Sequence, residues 1–224
     1  MPRSRVLFDN LLLLPLFQGL SREDFLNIAG SIRLAFRRIE SRQTLFEQDE
    51  VCQTLCFVLK GRLQVTTRSD DHAYSLTEWY DRPVVIQPEA LFGRHTRYSR
   101  TFGVEAGAEI LEIDKAAVRD VLFDYPTFRI NFLNYLSAQM ERLSRHTRRT
   151  VAADVDERFA QFVFARCWHP AGPKQVIIKM QRLAEELHET RLTISQMLRR
   201  LSDRGLVETG RGHIDIPRLE LLKP

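Results

Sequence analysis

Residues 182–201 read RLAEELHETRLTISQMLRRL, a stretch whose residue types suit reading the edges of base pairs. Leu183, Ala184 and Leu187 recur as one apolar face, and Ile194, Met197, Leu198 and Leu201 recur as a second. The spacing predicts two short helices that meet around Ala184, whose small side chain permits close approach, across a turn at His188-Glu189. With the apolar side of the second helix turned inward, Arg191, Leu192, Ser195, Gln196 and Arg199 point outward. Arg pairs bidentately with guanine and Gln with adenine in the major groove, so this face is a candidate base reader. Thr190, a candidate N-cap, and Thr193 stand at the helix start, where hydroxyls and free backbone N–H groups hold phosphate and set register. Directly after, GLVETGRGHIDI at 205–216 alternates around a Gly-Arg-Gly turn, a wing hairpin with Arg211 at its tip.

Other chemistry is sparse. The sequence carries no G-x-S-x-G, P-loop, G-x-G-x-x-G or H-E-x-x-H signature, and it is read as a non-enzyme with no catalytic residues. Cys52 and Cys56 with Cys167-Trp168-His169 contain zinc-ligand types, but Cys56 lies in an apolar strand pattern, which favours core packing over a metal.

The elements that must position the reader follow from periodicity. Short β-type runs at 56–59, 63–66, 84–86 and 110–113, separated by turn residues, predict a small antiparallel barrel or jelly roll over 32–113. Lys60-Gly61-Arg62 predicts a tight hairpin between two of them, and Ser21 is a candidate N-cap for a helix over 20–35. From Pro126 a long helix carries Leu133, Leu136, Met140, Leu143, Thr147 and Thr150 at alternating spacings of 3 and 4, a heptad seam that fits a second copy of the chain. Phe128, Phe132 and Tyr135 give that helix another apolar face, suited to the barrel. Asp154 or Asp156 is the expected N-cap of the next helix, which Ala171-Gly172-Pro173 closes. The expected class is therefore α+β, divided at 1–125 (effector-sensing barrel), 126–152 (dimerisation helix) and 153–224 (winged helix-turn-helix).

At 224 residues, with 44% hydrophobic and 28% charged residues, the chain is globular by composition. The longest apolar stretch, Leu11 to Phe17, contains Pro15 and is far below the ~20 residues that cross a bilayer, so no membrane partner is expected. Three cysteines and the lack of a signal-peptide pattern are read as a cytoplasmic location. Net charge is only +4, so the placement of arginines matters more than their number: Arg142, Arg145, Arg148 and Arg149 end the long helix, and Arg191, Arg199, Arg200, Arg204 and Arg211 surround the reader.

The order of parts resembles the Crp/Fnr family of bacterial transcription factors over nearly the whole chain. The motifs that carry the likeness are FVLKGRLQV at 57–65, LSAQM at 136–140 and TRLTISQML at 190–198. The resemblance implies a homodimer that binds palindromic double-stranded DNA, controlled by a small-molecule effector in the barrel, with RNA polymerase as a further candidate partner. It also implies a cyclic nucleotide cradle, for which Glu89, Arg100, Thr101 and Thr147 fall on the family positions. Glu89 would accept from the ribose 2′-OH and Arg100 would pair with the cyclic phosphate.

The chain departs from that pattern at several points. Pro88 replaces the cradle glycine and has no N–H to offer a ligand. Gln48 stands where a turn glycine is usual, Asp81-Arg82-Pro83 precedes the phosphate segment, and Arg148 follows Thr147 in place of a small hydroxyl residue. His188 replaces the glycine of the helix-turn-helix turn, and Leu192 stands where a base-reading Glu is common. The effector therefore stays open among a cyclic nucleotide, haem on His72, His95 or His146, and neither; an iron–sulfur cluster would need a fourth thiolate. The alternative function is a cyclic-nucleotide-responsive module that acts on a protein partner without DNA.

Overall fold

The computed structural model describes Leu11, residues 14–147 and residues 154–222, with only the backbone of residues 145–147. Contacts group the chain into two compact units: Met1–Leu63, Asp81–Tyr98 and Gly103–Arg148 in the first, and Gln64–Tyr80, Ser99–Phe102 and Arg149–Pro224 in the second. In chain order the elements are α1 (Arg22–Ser31), β1 (Ala35–Arg38), β2 (Gln43–Phe46), β3 (Thr54–Lys60), β4 (Leu63–Arg68), β5 (Tyr74–Tyr80), β6 (Val84–Ile86), α2 (Glu89–Phe92), β7 (Thr101–Val104) and β8 (Glu109–Asp114). After them come α3 (Lys115–Asp120), α4 (Pro126–Thr147), α5 (Val155–Arg166), β9 (Lys174–Ile178), α6 (Met180–Leu187), α7 (Arg191–Asp203), β10 (Glu208–Gly210) and β11 (His213–Ile216). Among the described residues no helix is long and apolar enough to cross a membrane.

In the first unit β1, β8, β3 and β6 form an antiparallel sheet in that order. Its centre is β3, with a hydrogen-bonded neighbour on each edge and side chains buried without interruption from Leu55 to Leu59, so both of its faces are covered there. Helix α1 begins where expected, with Ser21 and Asp24 capping each other: the Asp24 N–H donates to Ser21 Oγ at 3.0 Å and the Ser21 N–H to the Asp24 carboxylate at 3.2 Å. Helix α4 starts on Pro126, where a missing N–H costs nothing. It buries Phe128 and Phe132, with Phe128 5.5 Å from the ring of Phe17, while Asn131 donates to the carbonyls of Leu16 and Gln18.

Lys60-Gly61-Arg62 makes a turn but not the expected hairpin. Gly61 has φ 95°, and a Cβ there would lie 2.7 Å from Ala108 Cα, so only glycine fits. However, β8 and β6 already occupy both edges of β3, and β4 joins a different sheet.

The second unit contains strands hydrogen-bonded in the order β10, β11, β9, β5, β4, β7, of which β7 contributes Thr101 and Phe102. Strand β5 pairs antiparallel with β9, setting Leu76 against Val176 and Glu78 against Lys174. Both charged side chains are fully buried. The carboxylate of Glu78 accepts from the Trp168 N–H at 2.6 Å, the His169 N–H at 3.2 Å and the Tyr80 hydroxyl at 2.8 Å, and lies 3.4 Å from Lys174 Nζ. Lys174 in turn donates to the carbonyl of Ala171 at 2.6 Å. Every charge in this cluster is compensated by a partner, as burial requires. In the turn between β4 and β5, Asp71 pairs with Arg182 at 2.9 Å, and the Tyr74 ring packs on Phe162 with Arg166 across both.

Helix α5 starts after Asp154, which occupies the cap position without a side-chain cap bond, and Asp156 lies in the first turn. Phe159, Val163, Leu183, Ala184, Leu187, Ile194, Met197 and Leu198 close the core of the unit.

Candidate nucleic-acid interface and effector site

Helices α6 and α7 are joined by three residues, 188–190, and Ala184 is buried at their contact, as the spacing predicts. His188 takes the left-handed conformation, φ 53° and ψ 47°, and ends α6. Its own N–H bonds the Glu185 carbonyl, and the Glu189 N–H bonds the Ala184 carbonyl at 2.9 Å, so the turn is held by backbone bonds that offset the Cβ strain at His188. Arg158 of α5 pairs with Glu189 and fixes the turn from outside.

Thr190 caps α7, its hydroxyl accepting from the Thr193 N–H at 3.1 Å, and the two hydroxyls are 2.9 Å apart. This pair thus holds the start of the helix. Ile194, Met197, Leu198 and Leu201 are buried, and Arg191, Leu192, Ser195, Gln196 and Arg199 are exposed. The Leu206 N–H bonds the Leu201 carbonyl at 2.9 Å after Gly205 at φ 67°, which stops α7 and aims the chain into the wing. In the wing Gly210 pairs with His213, leaving Arg211 and Gly212 as a two-residue turn with Arg211 exposed.

The arginines around the reader fall into two groups. Arg200 pairs with Asp156 at 2.6 Å, and Arg204 with the same carboxylate at 3.8 Å. Arg191, Arg199 and Arg211 form no ion pair or side-chain hydrogen bond among the described residues. Three exposed cations are therefore without a partner among the described residues, and composition alone did not separate them from the structural pair.

The candidate effector residues fall in both units. Glu89 begins α2 in the first unit, after Pro88 at φ −63°, a value that proline adopts without strain, and after Gln87 at φ 35°. Tyr135 of α4 is pushed up to about 12, first by burial and then by the negative charge of Glu89. The sequence places this tyrosine on the packing face of α4, where its half-buried position agrees with that reading. Arg100 and Thr101 belong to the second unit, where Arg100 Nε donates to Thr67 Oγ1 at 2.9 Å and Nη1 to Ser99 Oγ at 3.3 Å. Thr147 is the last residue of α4, and its side chain lies outside the described residues, as do Arg148, Arg149 and Thr150.

On α4 the seam residues Leu133, Met140 and Leu143 are exposed at 53%, 71% and 63%, and Leu136 is half-buried. Cys52 and Cys56 are buried in the first unit and Cys167 in the second; burial pushes the Cys52 and Cys56 thiols up and keeps them protonated.

Residues 36–125 match the cyclic nucleotide-binding domain family, and residues 157–224 match the Crp-like helix-turn-helix domain family. The cAMP-activated global transcriptional regulator CRP of Pasteurella multocida is 25% identical over 177 residues, covering 75% of this chain and 82% of that protein. The same regulator from Haemophilus influenzae is 24% identical over 177 residues, covering 75% and 77%. Among solved structures, the c-di-GMP responsive global regulator CLP of Xanthomonas campestris aligns with a TM-score of 0.51 at 18% identity, covering 87% of this chain and 97% of that one.

Proposed function

The chain belongs to the Crp/Fnr family of transcription regulators, and on that premise we propose that it is a homodimer that binds palindromic double-stranded DNA and is controlled by a small effector. The observation that carries the reading is the exposure of Arg191, Ser195, Gln196 and Arg199 on α7 and of Arg211 on the wing, the three arginines having no partner among the described residues. Arg191 and Gln196 have the chemistry of base readers, while Thr190 and Thr193 suit phosphate. The α4 seam would set a two-fold axis and space two copies of α7 by about 34 Å, one turn of DNA. The functional division is 1–125 for effector sensing, 126–152 for dimerisation and 153–224 for DNA, in the cytoplasm, with RNA polymerase as a further partner.

Two expected results test the DNA reading. Binding to a selected operator weakens steeply with salt, because each neutralised phosphate releases counterions; a flat salt series would favour a module that acts on a protein partner instead. Arg191→Ala costs about 1–3 kcal/mol at one base position and relaxes preference there, whereas Thr193→Ala weakens all sequences alike. Equal losses on every sequence for Arg191→Ala would remove it as a base reader.

A cyclic nucleotide is the effector class best supported, by the domain match and by the cAMP-activated relatives. By the family resemblance Glu89 is the candidate for the ribose, Arg100 and Thr101 are candidates for the phosphate and Thr147 for the base, while Pro88 offers no N–H. Calorimetric titration of cyclic AMP is expected to give saturable heat that Arg100→Ala abolishes. The absence of heat with the unaltered protein would retire the cyclic-AMP assignment.

A further inference from the structure

We propose that Leu192 is a specificity determinant that reads the 5-methyl group of a thymine in each half-site. The inference rests on the DNA-binding reading above and deepens it. An α-helix advances by about 100° per residue, so the buried Ile194, Met197, Leu198 and Leu201 fix the inward direction of α7. Leu192 lies roughly opposite that direction, and Arg199, seven residues on, is within about 20° of the same line. The residue that projects farthest outward from the first turn of α7 is therefore an aliphatic one, and it is 69% exposed.

Its neighbours on that surface, Arg191, Ser195 and Gln196, are polar, so Leu192 is an isolated apolar group in a hydrogen-bonding face. A recognition helix enters the major groove by its N-terminal turns. The floor of that groove offers hydrogen-bond donors and acceptors from every base pair, and one methyl group, on C5 of thymine. A leucine pressed on the exocyclic amine of cytosine or on the acceptors of guanine would strip water from them without replacing its hydrogen bonds. Pressed on a thymine methyl, it removes two apolar surfaces from water at no such cost. Leu192 thus favours T at its position by attraction and disfavours a G·C pair by desolvation.

The test uses the full-length chain. An operator is selected from a randomised duplex pool, and each thymine in a half-site is then replaced in turn by deoxyuridine, which removes only the methyl group. At one thymine the replacement is expected to weaken binding about fourfold, the worth of one buried methyl. The same replacement is expected to change nothing for Leu192→Ala, a variant that removes no core contact because the side chain is exposed. A selected operator with a flat deoxyuridine series overturns the role of Leu192 and leaves the DNA-binding reading intact. So does methyl sensitivity that survives Leu192→Ala and disappears in Thr193→Ala, whose own methyl is the nearest competitor. A pool that yields no enriched duplex overturns both.

Discussion

Replacing Glu78 by alanine is expected to lower the unfolding free energy by about 3–5 kcal/mol, the cost of breaking a buried ion pair from one side. The loss is large because three donors, the amides of Trp168 and His169 and the hydroxyl of Tyr80, lose their acceptor together with the Lys174 ammonium. Lys174→Met should cost less, since the carboxylate keeps its two amides and the phenol. The double replacement Glu78→Leu with Lys174→Met should not return to the starting stability, because the Trp168 and His169 amides remain orphaned. Urea unfolding of the single and double variants measures these terms, with an unchanged slope indicating an unchanged denatured state. A larger loss for Lys174→Met than for Glu78→Ala would refute this account of the cluster. The pair also faces itself across the β5–β9 register, so amide exchange in β9 should accelerate in Glu78→Ala before it does elsewhere in the second unit.

That cluster explains where the sequence stopped being readable. The helix-turn-helix was legible because both of its helices carry apolar residues at helical spacing and the residues between them are polar. The wing was legible from alternation around Gly-Arg-Gly. Strands β5 and β9 were not: β5 buries Leu76, Thr77 and Glu78 in succession, and β9 turns Lys174, Val176 and Ile178 inward. A charged residue at an inward position reads as a surface residue until its partner is known, and here the partners are 96 positions apart. The same distance hides the grouping of the β4–β5 hairpin with the C-terminal helices, which no local pattern encodes. At Gly61 the turn was legible from one residue, but which sheet each strand joins depended on β6 and β8. For α7 and the wing, outward positions followed from the helical period and the strand alternation, whereas sorting Arg191, Arg199 and Arg211 from Arg200 and Arg204 required the position of Asp156.

Introducing charge into the α4 seam should have the largest effect on operator binding. Met140 and Leu143 are exposed on the single chain, so Met140→Glu with Leu143→Glu removes little from its own core and should leave the thermal unfolding of the protomer nearly unchanged. In a two-fold dimer, however, the substitutions would bring four carboxylates into a desolvated seam, where burial and their mutual repulsion oppose association. Sedimentation should report a monomer at micromolar concentration, against a dimer for the unaltered chain. Operator affinity should fall by about 10²–10⁴-fold, because the second half-site is no longer engaged at the high effective concentration that a tethered partner provides. Binding to a single half-site should persist at the level of the unaltered reader, since α7 and the wing are untouched. A variant that remains dimeric would mean that this stripe does not hold two copies together, and the two-fold arrangement of the recognition helices would then need another interface.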